Sequence, residues 1–157
     1  MSEELESRKC TYCGGEGATH REHVIPAIYL GMRAYDRNTQ WIVDACKECN
    51  ILAGSSLFFS IPEKATFILK KYNSRYKKIL NTPFWLEKDL NQLDYKLRKM
   101  IEGTILAKGV LSRRLLYLAS VSQYPKDYMR PKWVEEMYKE YLLLQKKKKR
   151  RKKDKTL

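Results

Sequence analysis

Four cysteines fall in two matched pairs, Cys10-Thr11-Tyr12-Cys13 and Cys46-Lys47-Glu48-Cys49, with 32 residues between the pairs. Two residues between sulfurs is the spacing of a knuckle turn that offers both thiolates to one ion, and two such knuckles complete a tetrahedral four-sulfur zinc site. Residues 10–49 must therefore close on themselves. A zinc held by four sulfurs has no open coordination position, so it braces the chain and cannot activate water. The start, MSEELESRK, is acidic and not an export signal, and no run approaches the 18 apolar residues of a spanning helix. The expected setting is the reducing cytoplasm, with no membrane partner, where paired cysteines hold metal more often than they form disulfides.

The formal charge of +14 is unevenly spread. The run from 146 to 155 holds nine basic residues and one acid, and the remaining body is still +6. A basic body implies a polyanionic partner such as nucleic acid. The basic run is open to three interpretations: an electrostatic arm for DNA, a nuclear localisation signal if the source is eukaryotic, or a solvated charge tail.

Periodicity divides the chain into a short loop-rich part and a helical part. Residues 1–9 lack pattern and carry Glu3, Glu4 and Glu6, which predicts a flexible leader. Residues 10–60 hold the glycines and cysteines of the first half, with Val24-Ile25 and Trp41-Ile42-Val43 as strand or turn segments and 51–59 as a buried helix. Residues 61–145 form a helical region. From 62 to 80, Ala65, Ile68, Leu69, Tyr72, Tyr76 and Ile79 recur at helical spacing, leaving Lys64, Lys70, Lys71, Arg75, Lys77 and Lys78 largely on other faces. Asn81-Thr82-Pro83 interrupts, a further stretch from Leu86 to Ile105 is expected to break near Gly103, and Gly109 is expected to start another, over 110–121. Pro131 opens a last helix with Val134, Met137, Tyr138, Tyr141 and Leu142 on one side, dissolving into a disordered basic tail over 146–157. The tyrosines Tyr72, Tyr76, Tyr138 and Tyr141 are assigned to core filling before base stacking.

Inside the zinc loop lies Thr19-His20-Arg21-Glu22-His23-Val24-Ile25-Pro26, and Asn50 follows the last cysteine directly. The string Glu22-His23-Val24-Ile25-Pro26, followed by Ala45-Cys46-Lys47-Glu48-Cys49-Asn50, resembles HNH endonucleases, in particular those whose ββα-metal hairpin is tied by two CxxC knuckles. More loosely, residues 57–117 are similar in pattern to the C-terminal part of small phage-type and bacterial HNH proteins. The resemblance implies an α+β, mostly α-helical fold: a ββα-metal finger with a structural zinc on the four cysteines, followed by a helical C-terminal region. It implies that His23 is the general base and that Glu22 and Asn50 are ligands of a catalytic Mg2+ or Mn2+. An imidazole titrates near neutrality and suits proton removal from water, while carboxylate and amide oxygens are hard ligands suited to such an ion.

The chain departs from the family pattern twice. Trp41 stands near the position of the middle Asn that props the hairpin, with Asn38 close but offset, so Trp41 packing and backbone carbonyls are alternatives for orienting His23. Gly54 stands where a third ligand would come, leaving Asp44 and His20 as further candidates for ligand or phosphate contact. DNA is the implied partner, contacted by Arg21, Lys47, Lys70, Lys71, Arg75, Lys77 and Lys78, and a homodimer or a larger nucleoprotein complex is open. The expected activity is cleavage of DNA phosphodiester bonds, by nicking or double-strand cutting. The alternative is a catalytically silent zinc module that binds nucleic acid or serves as an adaptor.

Overall fold

The computed structural model describes residues 8–31 and 36–153. Most of the expected leader, and the last four residues of the expected tail, lie outside the described residues. The fold is mostly helical with one small sheet. In chain order it runs β1 (His20–His23), α1 (Ala27–Leu30), a 3-10 turn (Arg37–Thr39), β2 (Ile42–Ala45), α2 (Lys47–Ala53), α3 (Ile61–Leu80), α4 (Glu87–Leu90), α5 (Tyr95–Ser122) and α6 (Lys132–Lys153).

β1 and β2 pair antiparallel, with His20 opposite Ala45, Arg21 opposite Asp44, Glu22 opposite Val43 and His23 opposite Ile42. Because side chains alternate across a strand, Glu22 shares a face with Val43 and Arg21 shares one with Asp44. The strand ends at His23, and Val24 and Ile25, expected in a strand or turn, form the buried turn after it. α2 starts four residues before the expected 51. Cys46 is its cap, with Sγ accepting from the Cys49 N–H at 3.4 Å, and Gly54 ends it at φ 57° and ψ −150°. That backbone region is essentially restricted to glycine, which explains why no liganding side chain occupies position 54.

α3 begins as its sequence predicts. Ser60 caps it by accepting from the Glu63 N–H at 3.2 Å, and Pro62 sits in the first turn, where its missing N–H costs nothing. Its buried face is Ile61, Ala65, Ile68 and Tyr72, together with Lys64. Ile61 and Ile68 on that face each contribute about 1.5–3 kcal/mol. Lys64, grouped above with the exposed basic residues, is instead fully buried.

α5 is one helix of 28 residues, unbroken at Gly103 and Gly109. Each interior glycine costs roughly 0.5–1 kcal/mol relative to alanine. The long pairing of α5 along α3, the largest helix–helix contact among the described residues, offsets that cost. α6 also differs from expectation, continuing through the basic run to Lys153. Lysine and arginine are good helix formers, and a helix already nucleated upstream extends at little cost per residue. The core is a single cluster reaching from Cys10 and Tyr12 through Val24 and Ile25 to Ile68, Leu118 and Val134. Residues from both 10–60 and 61–145 contribute to this cluster, and Ser60 at the boundary caps α3.

Candidate functional site

The two cysteine knuckles are built by backbone geometry. In the first, the Gly14 N–H bonds the Cys10 carbonyl at 2.9 Å, the Cys10 N–H bonds the Gly15 carbonyl at 2.9 Å, and Gly14 takes φ +65°. The Thr11 N–H donates to the Asp44 carbonyl at 2.9 Å, which fixes this knuckle to β2. The second knuckle is the β2–α2 junction, where Cys46 and Cys49 bracket the first turn of α2. All four sulfurs lie within 4.8 Å of one another. Cys13 and Cys46 are 3.8 Å apart, which matches the edge of a tetrahedron with metal–sulfur bonds of about 2.3 Å. Neighbouring thiols lower Cys10 to about 7 and hold Cys46 well below the usual thiol range, while they raise Cys13 and Cys49 above it. A cluster that already yields thiolate near neutrality is suited to a cation, and the donor set fits zinc.

Beside this cluster the order strand, strand, helix brings the end of β1 to the middle of α2. An open depression of about 250 Å³ is lined there by Arg21, Glu22, His23, Pro26, Ala27, Asn50 and Gly54. His23 and Asn50 are both half-buried, and among the described residues neither the His23 imidazole nor the Asn50 carboxamide makes a hydrogen bond. Both are thus available to a ligand. Arg21 is exposed at the rim. Without a Cβ, Gly54 keeps the helix end open beside them.

Glu22 stands differently from what the family resemblance implies. It is only 5% exposed, its Oε2 accepts from the buried Tyr12 hydroxyl at 2.5 Å, and its Oε1 is paired with the Lys64 ammonium. Burial pushes the Tyr12 hydroxyl upward, with the Glu22 carboxylate adding to the effect. Burial also pulls Lys64 below the ordinary lysine value, against the opposing pull of Glu22. A divalent ion on this carboxylate would sit beside an ammonium in a dry environment, where repulsion is poorly screened. Glu22 is a brace of the core, and the metal role expected of it finds no support in this geometry.

His20 and Asp44 do not line the depression. His20 Nδ1 is 2.9 Å from the Thr19 hydroxyl, and Asp44 is 3.8 Å from Arg8. Trp41 is buried at 5% exposure, and its carbonyl accepts from the Val24 N–H at 2.9 Å, so its backbone does anchor the residue after His23. Asn38 lies in the 3-10 turn, its N–H bonded to Asp36 at 2.9 Å. Lys47, Lys70, Lys71, Arg75, Lys77 and Lys78 are all exposed. Lys71 also lies over the Phe67 ring at 4.4 Å.

Three participants were absent from the sequence-based candidates. Tyr12, between the first two cysteines, gives no signal of its own. Glu48 accepts from Tyr76 of α3 and, at 3.3 Å, from Arg114 of α5, locking α2 to both long helices. Lys64 was detectable, because it falls three residues after Ile61, four before Ile68 and eight before Tyr72 on the apolar stripe, the position where a lysine needs a buried partner. No family model, curated protein or solved structure matches this chain.

Proposed function

We propose that this protein is a metal-dependent endonuclease of the HNH type that hydrolyses DNA phosphodiester bonds. The observation that carries it is the convergence of His23 and Asn50, with Arg21 at the rim, in one open depression of a strand–strand–helix unit adjoining a four-cysteine cluster. His23 is the base that takes the proton from an attacking water, and Arg21 pairs with a phosphate oxygen. Asn50 offers its amide oxygen from the middle of α2. A bound Mg2+ or Mn2+ would take Asn50 as its ligand from the chain, with water and phosphate oxygens completing the shell, and would supply charge stabilisation at phosphorus. Zinc on the four cysteines would hold the hairpin and α2 in register and take no part in the chemistry. The exposed lysines of α3 and the basic run of α6 supply sequence-independent affinity for the phosphate backbone.

The test is plasmid cleavage by purified protein with Mg2+ or Mn2+, comparing wild type, His23→Ala and Asn50→Ala at one zinc per chain. Loss of cleavage in both variants with zinc retained supports the assignment, and cleavage that survives His23→Ala rejects it. One observation favours a second function, a silent zinc module that binds nucleic acid: with both Glu22 oxygens taken by Tyr12 and Lys64, Asn50 is left as the side chain of the depression with an uncommitted oxygen among the described residues. Salt-sensitive DNA binding by a wild type that never cleaves would establish that alternative.

A further inference from the structure

We infer that Lys64 is the positioning residue for His23, holding the end of β1 from inside the core. Its side chain is fully buried, and its ammonium has three partners: the His23 carbonyl at 3.0 Å, the Val24 carbonyl at 3.0 Å, and the Glu22 carboxylate. An ammonium has three protons to donate, so all three are used and none is left over. The three acceptors belong to consecutive residues. A side chain that merely balanced a buried carboxylate would have no reason to reach the next two carbonyls as well.

The geometry has a direct consequence for the imidazole. Two adjacent carbonyls directed at one nitrogen fix the His23–Val24 and Val24–Ile25 peptide planes, the first of which carries the His23 carbonyl. The Val24 N–H, held by the Trp41 carbonyl at 2.9 Å, pins the same peptide from the other strand. With the peptide after its Cα held by Lys64 and Trp41 and β1 paired to β2 up to His23 itself, His23 leaves the strand beside the depression it shares with Asn50. Tyr12 completes the support by taking the second Glu22 oxygen, which connects this clamp to the cysteine knuckle. Lys64 is supplied by α3, so the direction of the candidate base is set by a helix outside the strand–strand–helix unit.

The catalytic consequence rests on the nuclease assignment, whereas the clamp itself does not. The chain has two histidines, His20 and His23, so the imidazole region of an NMR spectrum contains the target and an internal control at the other end of the same strand. Removing one charge alone would strand its partner in the core, so the informative variant is the double substitution Glu22→Gln with Lys64→Met, which removes both. The expected result is a zinc-loaded, folded protein in which the His23 imidazole signals move and those of His20 do not. Its kcat on DNA should fall about 10- to 100-fold with KM little changed, the loss expected of a misplaced reacting group. A double variant that regains full kcat, or leaves the His23 signals in place, would overturn the inference. If that variant does not fold, the wild type decides, because protected Lys64 ammonium protons with cross-peaks to the His23 and Val24 α protons are required, and their absence also overturns it. Wild type that keeps these cross-peaks but never cleaves DNA would count against the nuclease and leave the clamp standing.

Discussion

Replacing Gly14 by alanine should destabilise the protein by two separable effects at one atom. Gly14 has φ +65°, a conformation that costs an L-residue roughly 1–2 kcal/mol. A Cβ built there would also lie 2.7, 2.8 and 2.9 Å from three ring carbons of Tyr117 on α5. Carbon–carbon contact is optimal at about 3.5–4.0 Å, so the ring must withdraw by at least about 0.8 Å. Overpacking of this kind costs typically ~1–3 kcal/mol, and Tyr117, 41% exposed, can swing outward, which places it at the low end. The total comes to about 2–4 kcal/mol, or a melting temperature lower by roughly 4–16 °C for a chain of this size. Thermal unfolding at fixed zinc, followed by circular dichroism, measures it. In a Tyr117→Ala background the steric part vanishes and only about 1–2 kcal/mol should remain. An equal cost of Gly14→Ala in both backgrounds would show that α5 does not press on the first knuckle.

Further outcomes follow from the other contacts. Glu22→Ala leaves the Lys64 ammonium buried without its counter-charge and should cost about 3–5 kcal/mol, read by urea unfolding; a loss below about 1 kcal/mol would mean that the pair is not buried in solution. One zinc per chain should be released by a chelator or by Cys49→Ser with a fall in melting temperature, and zinc affinity should drop as pH falls, because zinc must displace protons from Cys13 and Cys49, held above the usual thiol range, and below about 7 from Cys10 as well. Zinc retained by Cys49→Ser at full affinity would contradict a four-sulfur site. Reversing the charges of Lys70, Lys71, Arg75, Lys77 and Lys78 should flatten the salt dependence of DNA binding, and an unchanged slope would remove α3 from the interface. Deleting residues 146–157 should weaken binding but leave turnover at saturating DNA, and total loss of turnover would refute a purely electrostatic role for that segment.

The parts of this molecule that follow local rules are legible in its sequence. Matched cysteine spacing announces the four-cysteine cluster because a knuckle needs only four consecutive residues. α3 is readable from the apolar stripe over 62–80, which is determined within the helix itself. The continuity of α5 through Gly103 and Gly109 is not, because it depends on packing against α3 that no local window contains. The convergence of His23 with Asn50 is implied by motif order. The diversion of Glu22 into the core is invisible there, since it requires Tyr12 from one side and Lys64 from 42 residues downstream. Tertiary partners outweigh the motif at that residue.

The clamp on β1 also limits how far the chain can be dissected. A fragment ending at Ser60 would keep every cysteine, His23 and Asn50, yet it would leave a carboxylate and two carbonyls facing solvent or one another where α3 had supplied their common donor. Transplanting the hairpin onto another scaffold would meet the same difficulty. The smallest inheritable unit therefore extends past the metal cluster into the first turns of the following helix.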